Sequence, residues 1–433
     1  MAESPTTPVA AAVAPTMPAR WVPLLYFGFA HACLAVAALA LALDARRLVG
    51  FFYHPKMLAV VHLVTLGFIS ASILGAVYVV GPLAFRMPLP ARKGDYFAFA
   101  GFAIGTTGMV SHFWLDLPAG MAWAAGLVGL SMSHVAARGL AGLRRAPVPP
   151  EPRFAMALAL LNVLAAAGLG VVAAANKVRP FAPWSQLDLV FAHAHLAALG
   201  WGAMMVVGAG YRMLPIILPS AMPGGPWAYA APIALECGIV GVVCALLTES
   251  PRLGACAAVV VVGLLGFLSQ VVWMLRHRRP GPTELPRPDW GVAHALESLL
   301  YLLLATGLGL SLALAERSET TLRLASAYGV FGLLGFLSQI IVGVESRILP
   351  LFAWLWGFAD RAYATSPPSL HRAPARLVQG LVFALWTLAV PGLALGLATE
   401  QVTVVSTAAG ALLAATIAAA ANAGLVLRRL WRR

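Results

Sequence analysis

The segment His62-Leu-Val-Thr-Leu-Gly67-Phe returns 133 residues later as His195-Leu-Ala-Ala-Leu-Gly200-Trp. A third, shorter copy reads Leu334-Gly335-Phe and follows the second by 135 residues. In all three copies a second glycine lies eight residues after the first, and a proline lies fifteen residues after it. These positions are Gly75, Gly208 and Gly343, and Pro82, Pro215 and Pro350. A pattern that recurs at a fixed period indicates an architecture built from repeated units.

The composition around these segments is that of a membrane protein. The chain is 61% hydrophobic and only 10% charged, whereas a soluble domain carries about 25% charged residues. Windows of about 20 apolar residues are long enough to cross a bilayer. They predict spans near 21–43, 57–83, 96–114, 117–137, 154–174, 189–217, 229–248, 253–275, 290–314, 324–355, 377–398 and 401–427.

The three copies fall on the second, sixth and tenth of these spans, so each repeat contains four helices. The sequence therefore predicts an all-α integral membrane protein of about twelve transmembrane helices in three pseudo-symmetric four-helix repeats. The repeats cover approximately 21–137, 154–275 and 290–427 of a single membrane domain, 21–433. Residues 1–20 are predicted to form a flexible cytoplasmic tail.

The net charge of +13 is explained by membrane topology rather than by nucleic-acid binding. Lys and Arg concentrate on the cytoplasmic side of membrane proteins. With the N-terminus inside, only eight of the 29 Lys and Arg residues face the other side: Arg46, Arg47, Lys56, Lys177, Arg179, Arg252, Arg317 and Arg323. We therefore expect a multi-pass protein of a bacterial-type inner membrane with both termini cytoplasmic. None of the four cysteines forms a CxxC pair, which disfavours disulfides, covalently attached haem and a thiolate zinc site.

Histidines inside the spans are the sharpest candidates for a functional site, because ionisable groups in the bilayer are costly and usually functional. His62 and His195 both lie five residues before the first motif glycine, where the third copy has Val330. Two facing imidazoles can bind a haem iron axially. His193 points about 200° away from His195 around a helix and could serve a second metal. The alternative is that all three only form hydrogen bonds between helices.

Other ionisable residues are predicted to form a proton path or a second site. They are Glu236, His294, Glu297, Glu345 and Arg347. His294 and Glu297 are three residues apart and so share one helix face. Glu345 has two arginines, Arg347 and Arg212, as candidate partners. Single histidines in other spans are expected to be structural, namely His31, His112 and His134.

These residues resemble subunit I of the haem-copper oxidases and the related nitric oxide reductases. Ala192-His193-Ala-His195, with the later Gly208 and Pro215, looks like the helix that carries the family's HxH motif, and His62 looks like its haem ligand on the second helix. The resemblance implies twelve helices in three arcs, with both termini inside. It also implies that His62 and either His193 or His195 ligate a b-type haem, while the other binds a second haem, copper or non-haem iron.

The chain also departs from that family. The tenth span has no histidine, the seventh lacks the paired copper ligands, and no segment resembles the cross-linked His-Tyr site. The expected function is therefore that of a divergent relative that uses haem b for electron transfer, gas binding or protection against nitric oxide. Its electron donor would be a quinol or a cytochrome c-type protein, and partner subunits are possible. Two other functions remain open, a proton-coupled transporter or channel and a structural subunit without a cofactor.

Overall fold

The computed structural model describes residues 17–280, 287–358 and 369–430. Most of the predicted tail, residues 1–16, lies outside the described residues, as do 281–286, 359–368 and 431–433. The long helices are α1 (Val22–Leu43), α2 (Pro55–Phe85), α3 (Lys93–Trp114), α4 (Met121–Arg144), α5 (Pro150–Val178), α6 (Gln186–Ile217), α7 (Pro226–Leu247), α8 (Leu253–Arg276), α9 (Trp290–Leu314), α10 (Glu319–Phe358), α11 (Arg376–Ala398) and α12 (Val402–Leu430).

Eleven of these helices are long and apolar enough to cross a membrane, within the residues described. The prediction of an all-α, multi-pass membrane protein is thereby confirmed. α3 has 22 residues and is long enough, but Lys93 and Asp95 stand in its first turn and its remaining sequence is less apolar. The count of twelve spans therefore stays a prediction.

The helices form a closed ring in chain order. Each packs against the next, and α1 packs against α12, where the Ser406 hydroxyl donates to the Ala42 carbonyl at 2.5 Å. The three longest helices, α2, α6 and α10, lie innermost. Half or more of the most apolar stretch of each is buried, against less than half in the other eight apolar helices. The three helices that carry the repeated motif are thus the core of the bundle.

Each core helix contains a π-helical segment of eight residues that the sequence did not predict. The segments are Leu63–Ser70, Leu196–Ala203 and Phe331–Ser338. The first motif glycine is the fifth residue of each segment. The segments contact one another at the centre of the ring, and the Trp201 indole donates to the Ser70 hydroxyl at 3.1 Å. π-Helical turns are rare and occur frequently at functional sites. The part of the bundle where the three segments meet is therefore a candidate functional region.

The motif glycines allow each core helix to approach the helix that precedes it. A Cβ on Gly335 would lie 2.6 Å from the ring of Tyr301, and one on Gly208 would lie 2.6 Å from the Met156 backbone nitrogen. A Cβ on the first glycines would contact Cys33, Asn162 and Tyr301. A Cβ on the second glycines would contact Tyr26, Ala155 and His294, each of which lies seven positions earlier on the same preceding helix. Small residues at such contacts are typical of helix packing in membranes.

The connections after α2, α4, α6 and α8 lie together at one end of the bundle. The Arg212 guanidinium at the end of α6 donates to the Ala84 carbonyl at the end of α2, and an isolated bridge joins Ser220 to Arg278. We call this the basic end, because Arg86, Arg92, Arg145 and Arg278 are among its residues. The other end is called the opposite end.

Candidate functional site

His62 and His195 occupy matching positions directly before the π-helical segments of α2 and α6. Nδ1 of His62 lies 2.7 Å from the Leu58 carbonyl, and Nδ1 of His195 lies 2.8 Å from the Phe191 carbonyl. Each imidazole is therefore held by the carbonyl four residues earlier on its own helix. Such a contact fixes the ring with Nδ1 protonated and leaves the lone pair of Nε2 available to a ligand.

His62 on α2 packs against α3. Its ring stacks on Phe113 of α3, with the ring centroids 4.8 Å apart and the planes 25° apart. His193 lies close enough to His62 to act on its charge. Both side chains are half-buried. The structure thus brings His62 near His193, the first of the two histidines on α6.

His193 and His195 point in different directions, as their two-residue spacing predicted. Nδ1 of His193 lies 3.0 Å from the Ala166 carbonyl of α5, and its ring covers Gly170 on the same helix. His195 instead stacks on Tyr328 of α10, with centroids 6.0 Å apart and planes 24° apart. The two imidazoles therefore belong to different interhelical spaces.

His62, His193 and His195 are the residues whose donor groups could hold a haem or a metal ion. None of the three Nε2 atoms has a hydrogen-bond partner among the described residues. No group of three or more His, Cys, Asp or Glu side chains in the described part of the chain is placed to hold a metal ion. The imidazole pose alone does not identify ligands, because His277 holds its ring against the Trp273 carbonyl in the same way.

A second cluster of ionisable groups lies between α1, α9, α10, α11 and α12. Nε2 of His31 is 3.8 Å from the Glu345 carboxylate. Both side chains line a cavity of about 50 Å³, together with His294, Ser346, Gln379 and Asn422. His294 is only 3% exposed, and its Nδ1 has no partner among the described residues. A volume of this size accommodates a few water molecules.

Glu297 lies one turn beyond His294 on α9 and joins three helices. Its carboxylate accepts hydrogen bonds from Gln339 Nε2 at 2.7 Å, from the Thr387 hydroxyl at 2.8 Å and from the Tyr301 hydroxyl at 3.3 Å. The expectation that His294 and Glu297 share one face of a helix is therefore confirmed. On that face, the two side chains contact different neighbouring residues.

The expected partners of Glu345 were wrong. Arg347 pairs with Asp289 at the start of α9, and Arg212 donates to the Ala84 carbonyl. Residues two apart on a helix point about 200° away from each other, so Arg347 cannot face the partner of Glu345. That partner is His31, which the sequence suggested was only structural.

Glu236 does not belong to this cluster. Its carboxylate accepts a hydrogen bond from Asn162 Nδ2 of α5 at 2.7 Å, on the far side of the ring. Sequence reasoning also missed the polar partners Tyr301, Gln339 and Thr387. For Tyr301 the sequence did contain a signal. The spacing of Trp290, His294, Glu297 and Tyr301 places these four residues in one stripe along α9.

No protein-family model and no curated protein matches the chain. The resemblance to the haem-copper oxidases therefore rests on the motif residues of the sequence.

Proposed function

We propose that this protein is a membrane haem protein, a divergent relative of haem-copper oxidase subunit I with twelve spans in three repeats of four helices. In this proposal the basic end faces the cytoplasm of a bacterial-type inner membrane, and both termini are cytoplasmic. The matching glycine contacts and π-helical segments of α2, α6 and α10 support the threefold repeat.

The observation that carries the proposal is that His62 of α2 and His193 of α6 lie near each other and present matching donor groups. Each has its Nδ1 atom held by a backbone carbonyl and its Nε2 atom free of protein partners. These two residues are the proposed axial ligands of one b-type haem, and His195 beside Tyr328 is the alternative ligand from the same helix. Held by both imidazoles, a haem would supply one-electron transfer, and a diatomic gas would bind only if one imidazole left the iron. The protein fixes the imidazole tautomers and surrounds the pair with aromatic and aliphatic side chains.

The test is the reduced-minus-oxidised visible spectrum of the purified protein, with a pyridine haemochrome assay and metal analysis of the same sample. We expect a b-type spectrum with about one haem per chain. Replacing His62 or His193 with Ala should remove the Soret band, whereas His195→Ala should retain it. His277→Ala is the matched control, since His277 has the same pose at the surface of the basic end.

The other possible outcomes of these measurements would change the assignment of the haem ligands or overturn it. Loss of the band in His195→Ala with retention in His193→Ala would move the second ligand to His195. Copper, non-haem iron or a second haem in the wild-type protein would indicate a catalytic centre. A colourless protein, expressed with ample haem, would overturn the proposal.

The cavity beside His31 favours a second candidate function, a proton-coupled transporter. It places an acid, a neighbouring imidazole and the unpartnered Nδ1 of His294 in a space large enough for water. A colourless protein that carries a proton flux across reconstituted vesicles, and loses that flux in Glu345→Gln, would support this function over haem binding.

A further inference from the structure

A pocket of about 320 Å³ opens at the basic end, between the α2–α3 connection and the end of α4. Its polar lining consists of Arg92, His134, Arg138 and Arg145, and its apolar lining includes Leu89 and Ala137. No acidic side chain is among its lining residues in the described part of the chain. The pocket therefore has the chemistry of an anion site.

One carboxylate beneath the pocket compensates only part of this charge. Asp95 is fully buried and pairs with Arg138, whose second terminal nitrogen donates to the Pro90 carbonyl at 2.7 Å. Arg138 is thereby fixed in position. The guanidinium groups of Arg92 and Arg145 form no ion pair with any described acidic residue, and both residues are exposed. Two positive charges are left to an external ligand.

The pocket is continuous with an apolar outer surface of α4. Ala137 and Ala141 line the pocket, and Leu130 and Trp123, seven and fourteen residues before Ala137, stand on the same helix face with 73% and 84% exposure. At about 1.5 Å per residue, Leu130 lies roughly 16 Å from Ala141 along the helix, close to half the hydrocarbon thickness of a bilayer. A ligand with a charged head and an apolar chain matches both surfaces.

We propose that this pocket binds the phosphate of an anionic phospholipid in the leaflet at the basic end. Arg92 and Arg145 pair with the phosphate oxygens, Arg138 presents a fixed charge beside them, and one acyl chain lies along α4 from Ala137 to Leu130. Guanidinium groups suit this role because their planar donors match phosphate oxygens in pairs. Basic pockets between transmembrane helices bind phospholipid headgroups in the same way.

The test measures lipid binding to the full chain purified in a neutral detergent. Dioleoyl phosphatidylglycerol, dioleoyl phosphatidylcholine and free glycerol phosphate are titrated separately, with binding read by native mass spectrometry and by the rise in melting temperature. Near a membrane surface each basic residue contributes about 1 kcal/mol toward an anionic lipid, so Arg92→Gln and Arg145→Gln should each weaken phosphatidylglycerol binding about fivefold. Arg276→Gln, an exposed arginine elsewhere at the basic end, is the control and should leave it unchanged.

Three results would overturn the proposal. Equal binding of phosphatidylglycerol and phosphatidylcholine would show that the pocket does not distinguish an anionic headgroup from a zwitterionic one. An equal loss in Arg276→Gln would show that the general surface charge is responsible. Saturable binding of glycerol phosphate that matches the lipid would assign the pocket to a soluble phosphate compound. A melting temperature of the lipid-free Gln variants equal to that of the wild-type protein would show that their loss of binding does not come from misfolding.

Discussion

Asp95 has the most heavily hydrogen-bonded carboxylate in the described part of the chain. It accepts hydrogen bonds from the Tyr78 hydroxyl at 2.8 Å, the Arg92 backbone amide at 2.7 Å, His134 Nε2 at 3.0 Å and the Arg138 guanidinium at 2.5 Å. A buried charge is stable only when it is paired and hydrogen-bonded. One carboxylate therefore ties the ends of α2, α3 and α4 together.

Asp95→Asn removes the negative charge and leaves Arg138 without its buried partner. Breaking one half of a buried ion pair costs about 3–5 kcal/mol, so we expect a corresponding loss in the free energy of unfolding. It would be measured by denaturant titration of the protein in detergent micelles. Glu319→Gln, which removes an exposed partner of Arg323, should change stability by less than about 1 kcal/mol. Equal effects of the two substitutions would show that the Asp95 network does not stabilise the bundle.

Pairings between helices were the least predictable feature at this scale. Helical periodicity places His294 and Glu297 on one face, and the structure agrees. Helical periodicity also shows that Glu345 and Arg347 point in different directions, but it does not predict which helix faces Glu345. The contact between His31 and Glu345 joins α10 to α1, more than 300 residues apart in sequence, and no local pattern contains that information.

At the scale of single helices, α2, α6 and α10 combine two features with different origins in the sequence. Their glycine and proline spacing is visible in the sequence and marks where neighbouring helices approach. Their π-helical segments are not visible in the sequence, because the same apolar residues fit an α-helix equally well. Only tertiary packing selects the wider turn. The polar start of α3, where Lys93 and Asp95 reduce its apolar character, likewise makes that span the least distinct of the predicted ones.

Gly208→Ala tests the close approach of α6 to α5. The added methyl group would lie 2.6 Å from the Met156 backbone nitrogen, and backbone cannot move aside as a flexible side chain can. Overpacking of this kind costs about 1–3 kcal/mol. Gly168→Ala is the matched control on α5, since a Cβ there meets no atom within 4 Å and Ala favours the helix by up to about 1 kcal/mol.

Melting temperatures of both variants in one detergent provide the comparison. Gly208→Ala should lower the melting temperature, and Gly168→Ala should leave it unchanged or raise it. If both variants kept the wild-type value, the glycine contacts of the motif would not be tight in the membrane.

For the whole molecule, the distribution of Lys and Arg predicts that the basic end faces the cytoplasm. Gly224 lies in the connection after α6 at the basic end, and Glu316 lies in the connection after α9 at the opposite end; both are exposed. In a variant whose four native cysteines are replaced by Ala, Glu316→Cys should react with an impermeant maleimide on intact cells. Gly224→Cys should react only after the cells are opened, and the reverse pattern would invert the topology.

The sequence anticipates the positions of the long apolar helices, because these depend on hydropathy along the chain. The closure of the ring is different. Contact between α1 and α12 depends on the angles accumulated over all the intervening helices, and no single segment encodes those angles. The proximity of His62 to His193 has the same origin, since it depends on how α2 and α6 are rotated about their own axes.

The contact between α1 and α12 means that the ring of helices is continuous between its first and last long helices. α1 and α12 pack against each other and run in opposite directions, since Ser406 near the start of α12 bonds Ala42 near the end of α1, so Arg20 and Leu430 both lie at the basic end. A circularly permuted chain, with a short linker joining these residues and new termini in the α4–α5 connection, would preserve every helix pair. The order in which helices enter the membrane would change, while the finished bundle would stay the same.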